Sequence, residues 1–173
     1  MIGIRYKGEE DITDSVGLLI SILVRYPEVA TINFDPVKKA LKFTFIASKI
    51  LGAAEMDSIR RILLESIEAL NKLDGKTARM SLVDRQDCDP YTMIEIQRDV
   101  ETLVQEEIAL IVALFQQYFE NCLITDEGHS LYGDELLAQE EVIERMLESV
   151  RGFAGNRMLF AYREEGRVLV FNK

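Results

Sequence analysis

From Asp99 to Ile124 the chain contains no Gly, Pro or Lys, and its centre is a run of eight apolar residues, Ile108–Phe115. Such a run covers every side of two helical turns, so the pattern excludes a helix with one wet face at that point. Toward its ends the stretch is amphipathic. Val100, Leu103, Val104, Ile108 and Ile111 share one stripe, which Phe115, Tyr118, Phe119 and Cys122 continue. Asp99 suits an N-cap, where its carboxylate would accept a bond from an orphan N–H at the positive helix end. A helix of that span would be about 36 Å long. It must be wrapped by other elements or by a second copy of the chain. The expectation is a homodimer that closes over Ile108, Ile111, Val112, Phe115 and Phe119.

With 173 residues, a single α+β domain over 1–173 is expected. Ile2, Ile4 and Tyr6 alternate as a first strand would. Asp11, with Asp14 three residues on, is placed to cap a helix whose apolar face is Val16, Leu19, Ile20 and Leu23. A hairpin follows, Ala30, Ile32 and Phe34 facing the same way as Leu41, Phe43 and Phe45, with Asp35-Pro36 in its turn. Residues 54–73 read as a second helix with Ile59, Ile62, Leu63, Ile67, Leu70 and Leu73 inward, stopped by Asp74-Gly75. Met80 and Leu82, then Ile94 and Ile96, mark a strand pair joined by a long polar connection, 84–91. Beyond the central helix lie a helix over 134–150, with Leu136, Leu137, Ile143, Met146, Leu147 and Val150 inward, and a closing hairpin turned at Glu164-Glu165-Gly166. The pattern predicts a mostly antiparallel sheet with helices on one face. The order β, α, β, β, α, β over residues 1–85 has the ferredoxin-like topology, a likeness of layout that carries no function.

Charge is distributed unevenly. Of a net charge of −10, residues 99–150 hold thirteen acidic side chains against one basic one, Arg145, whereas the rest is nearly balanced. Like charges repel phosphate backbones and anionic lipid, so this segment disfavours nucleic acid and membrane surfaces. Glu140, Glu141, Glu144 and Glu148 form an acidic face that would suit a basic protein partner. No stretch reaches the ~18 apolar residues of a membrane span. Val16–Val24 follows an acidic segment and precedes no small-residue cleavage site, which argues against a signal peptide and for a cytoplasmic protein. Cys88 and Cys122 stand alone, without a CxxC pattern.

Candidate chemistry is sparse. Asp84, Asp87 and Asp89 could offer oxygen ligands to a hard cation, but their spacing is not that of an EF-hand and Asp is a common turn residue. His129, beside Asp126 and Glu127, could serve as a base or a metal ligand, yet no second histidine accompanies it. Neither a phosphate-binding loop nor a GxSxG elbow occurs. Lys38, Lys39, Lys42 and Lys49, with Arg60 and Arg61, cluster around the first hairpin; edge protection accounts for them more simply than RNA binding does, because Phe34, Phe43 and Phe45 alternate inward. No cofactor and no metal is expected. The sequence therefore favours a non-catalytic interaction or regulatory module that self-associates. The alternative is a metal-dependent enzyme or small-ligand sensor built from the Asp84–Asp89 connection and the Asp126–His129 loop.

Overall fold

The computed structural model describes residues 9–126, 133–152 and 155–172, with side chains from residue 14 onward. The expected strand at Ile2–Tyr6 lies outside them. Alternation decides the sheet: Ile32 and Phe34 of β1 (Thr31–Asp35) and Leu41, Phe43 and Phe45 of β2 (Ala40–Ala47) point into one core. In the turn between them, Asp35 Oδ1 accepts the backbone N–H groups of Val37 and Lys38, at 3.0 and 3.1 Å. Two further hairpins, β3–β4 (Ser81–Cys88, Tyr91–Asp99) and β5–β6 (Leu159–Glu164, Arg167–Asn172), complete a six-stranded antiparallel sheet in the order β3-β4-β2-β1-β5-β6. The α+β class is as expected. The chain runs β, β, α, β from 31 to 88, and β4 then inserts between β2 and β3.

That order corrects two readings. The first hairpin is the centre of the sheet, so edge protection does not explain its lysines; Lys42 instead pairs with Glu95 on the neighbouring strand, at 3.3 Å. The stretch 84–88 is not a loop either. Its residues form the second half of β3, in register with Tyr91–Glu95, and only Asp89-Pro90 turns the chain. Alternating Asp, Arg and Gln reads as a loop by composition, but a partner strand satisfies this backbone.

α1 (Glu9–Arg25) begins before Asp11, which therefore lies inside the helix and not at its cap. Its buried side is broad, with Leu18, Leu19, Ile22 and Leu23 all enclosed, because it packs against β1, β5 and β6 and also against α4 (Asp134–Arg151). The guanidinium of Arg163 on β5 donates to the Leu23 and Tyr26 carbonyls, filling acceptors left open where α1 ends. α2 (Ala53–Leu73) buries Ile59, Leu63 and Ile67 and stops at Gly75, whose φ of +71° a side-chain-free residue adopts without strain. Leu73, expected inward, is 84% exposed. On α4, Ile143, Leu147 and Val150 are buried as expected, but Leu137 is 61% exposed on the first turn.

The central helix is shorter than its pattern suggests. α3 spans Gln105–Tyr118, roughly 21 Å. Asp99 ends β4, paired with Ala40, and so is not a helix cap. A wet face exists after all: Glu106, Ala113 and Gln117 are exposed, since alanine scores as apolar yet loses little by facing water. Ile108, Ile111, Val112, Phe115 and Phe119 are between 1 and 4% exposed within the single chain. Phe115 stacks on Phe45 with ring centroids 3.8 Å apart. These five side chains line the protein's own core, leaving no free surface on them for a second copy.

Candidate functional site

Periodicity points to the site through two polar residues in apolar rows. On α2 the i+4 row Ile59, Leu63, Ile67 ends in Asn71; Glu107 on α3 stands at the same spacing between Leu103, just before the helix, and Ile111. A polar group at a core position must find partners. Here they find each other. Asn71 Nδ2 donates to Glu107 Oε1 at 2.8 Å and to the Ile67 carbonyl at 2.8 Å. Glu107 in turn takes a two-pronged bond from Arg98 of β4, Nε to Oε2 at 2.6 Å and Nη2 to Oε1 at 2.8 Å, with both side chains 0% exposed.

The third guanidinium nitrogen, Nη1, donates to the Met80 carbonyl at 2.9 Å and to Asp99 Oδ1. Asp99 also accepts the N–H groups of Arg79, Met80 and Thr102 and the Thr102 hydroxyl. Burial alone would push the Asp99 carboxyl up. The Met80 N–H and Thr102 hydroxyl, followed by the Arg98 charge, outweigh it and hold the carboxyl below its ordinary value. Nearby carbonyls are met by cations: Lys76 Nζ reaches Thr102 O at 2.7 Å, and Arg151 reaches Val100 O and Leu103 O. Every charge in this cluster is spent on a neighbour. Chemically it is a clamp joining β4, α2, α3 and the link before β3.

Asp99 makes the clamp pH-sensitive in a stated direction. Its folded-state affinity for a proton is lowered, so its stabilisation is full above the ordinary carboxylate value of about 4 and is lost as pH falls below it. Urea unfolding free energies measured down a pH series should decline below that point. Asp99→Asn should remove part of the decline, and an unchanged slope would count against the assignment.

Beside the clamp lies a cavity of about 350 Å³ between the C-terminal half of α2 and the link that leads into β3, lined by Leu64, Ile67, Glu68, Asn71, Lys72, Lys76, Thr77, Ala78 and Ser81. Two atoms of its wall residues, Asn71 Oδ1 and Ser81 Oγ, are buried without a hydrogen-bond partner.

The residues singled out from sequence do not join it. Asp84, Asp87 and Asp89 are exposed on β3 and its turn; Asp84 and Asp87, three apart on a strand, face opposite sides, and Asp87 pairs with Arg85. Asp126 donates its N–H to Pro27 O and lies 3.8 Å from Arg163. Asp87 and the approach to Asp126 at Leu123 are separated by β4 and β2, roughly 14 Å at strand spacing. Those carboxylates cannot share one ion. His129 lies outside the described residues. Among the described residues no group of three His, Cys, Asp or Glu side chains could hold a metal, and no helix is long and apolar enough to cross a membrane. Cys88 and Cys122 are free thiols. The basic cluster is largely neutralised, with Lys39 on Glu101, Lys49 on Glu55 and Arg60 on Asp57. So is half of the acidic face: Glu140 binds Arg25 at 2.7 Å, and Glu144 accepts the Gln105 N–H at 3.1 Å.

No protein-family model, curated protein or solved structure matches the chain.

Proposed function

We propose that the protein is a non-catalytic interaction or regulatory module that self-associates, and that its pairing surface is the outer edge of β6, not α3. The observation that supports this is the contrast between the two edges of one sheet. The β3 edge carries Asp84, Arg85, Gln86 and Asp87 in succession, charges that discourage another strand from adding on. The β6 edge carries Val168, Leu169, Val170 and Phe171, with Phe171 48% exposed and stacked at 5.7 Å on Tyr162, which in turn lies 5.6 Å from Phe160. Among the described residues no strand covers that edge. A two-fold axis through Leu169 would extend the sheet antiparallel, set Leu169 against its own copy and bring Arg167 over the partner's ring at position 171. The strand would then be register-matched to itself.

Light scattering after size exclusion should return a dimer mass at micromolar concentration, and Leu169→Lys should return a folded monomer. A wild-type monomer, or a dimer indifferent to the lysine, would rule out the β6 edge.

A further inference from the structure

The outer face of the sheet, opposite the helices, carries an inference that rests on the pairing of β6 edges proposed above. In the middle of β1, β2 and β4 that face is polar, as a one-sided antiparallel sheet requires: Thr31, Asn33, Lys42, Thr44, Glu95 and Gln97 point outward. β5 and β6 depart from this. Leu159, Ala161, Val168 and Val170 turn to the core, so alternation sends Phe160, Tyr162, Leu169 and Phe171 outward. They stand opposite one another across the hairpin, Phe160 against Phe171 and Tyr162 against Leu169. Phe171 is 48% exposed. Among the described residues the only helix that reaches β5 and β6 is α1, on the other face.

We propose that this block packs against the same block of a second edge-paired dimer, so that two dimers join face to face. The two-fold axis that sets Leu169 against its copy stands perpendicular to the sheet, and both copies therefore present the block on one side. Tyr162 and Leu169 continue across the axis into their own copies. With about 150–250 Å² per aromatic side chain and the block half-buried, each copy leaves on the order of 250 Å² open. The pair of copies offers about 500 Å² in one patch, a size that on soluble proteins is often functional. Two such patches, packed about 10 Å apart as stacked sheets are, bury about 1,000 Å² in all, the area that a specific interface should clear. Single copies meeting block to block bury only about half of that and fall short. Area thus selects the occupant: the patch is large enough only when doubled by the two-fold axis, and another dimer shares both that symmetry and its apolar character.

Sedimentation equilibrium of the full chain tests this. Masses should move from dimer at about 1 μM to tetramer at about 100 μM, as fits an interface near the lower end of the size range. Tyr162 lies on β5, one strand in from the pairing edge, so Tyr162→Lys should remain a dimer throughout and keep a cooperative melt. A wild type that is still a dimer at about 100 μM would overturn the face pairing, leave the edge pairing intact and give the block to a partner of another kind. A wild-type monomer would overturn both. A tetramer that Tyr162→Lys does not weaken would overturn the proposal by placing the contact elsewhere.

Discussion

Glu107→Ala is expected to destabilise the protein by about 3–5 kcal/mol, one of the two largest effects foreseen for a single substitution. The variant leaves the Arg98 guanidinium 0% exposed with two of its nitrogens stripped of their carboxylate, and takes one of two acceptors from Asn71 Nδ2. The loss is mostly the cost of buried N–H donors on Nε and Nη2 left without an acceptor, Asp99 still meeting Nη1, and not the net worth of the pair. Arg98→Met combined with Glu107→Leu should therefore be more stable than either single change, since both charges leave the core together. Urea titrations of wild type, two single variants and the double variant give the coupling directly. Strict additivity would mean that the two residues do not act as a unit.

Val112→Glu should unfold the chain outright, by more than about 4 kcal/mol. Val112 is 4% exposed, on the side of α3 that carries Ile108, Ile111 and Phe115 into the core. A carboxylate there would be buried in the apolar core cluster. Circular dichroism and light scattering separate the outcomes: a folded monomer would place Val112 at an interface between copies, whereas loss of the cooperative melt places it within one chain. Leu169→Lys, by contrast, should leave the melt nearly unchanged.

Sequence patterns revealed α2 because its i+4 row, the Asp74-Gly75 stop and the neighbouring strands all agree. They revealed the first and last hairpins because period-2 alternation meets an obvious turn. They failed at Asp99, for a physical reason. Val100, Leu103 and Val104 fit a helical stripe as well as they fit a turn closing a strand, and only the pairing of Asp99 with Ala40, some sixty positions earlier in the chain, selects the second. The eight-residue apolar run misled in a similar way, since two of its members are alanines that tolerate water. Arg98 and Glu107 look like surface charges one by one. The legible signal was position: Glu107 and Asn71 each occupy a core place in an apolar row, and such a residue marks a buried network. Nothing in sequence linked those rows to Arg98, because β4, α2 and α3 meet only once the sheet is assembled. The cavity was illegible for the same reason.

The pairing of β1 with β5 has a consequence for synthesis. Each hairpin closes locally, and β2 finds β4 soon after residue 99 is made, so the four strands from β1 to β4 can assemble early. The outer side of β1, though, receives its partner only when Leu159–Tyr162 emerges. Throughout that interval the strand that ends as the middle of the sheet is a bare edge carrying Ile32 and Phe34. Non-local pairings of this kind close late and leave apolar strands open to stray contacts. The nascent chain is therefore most vulnerable while α3 and α4 are being made, and release from that state depends on its last hairpin.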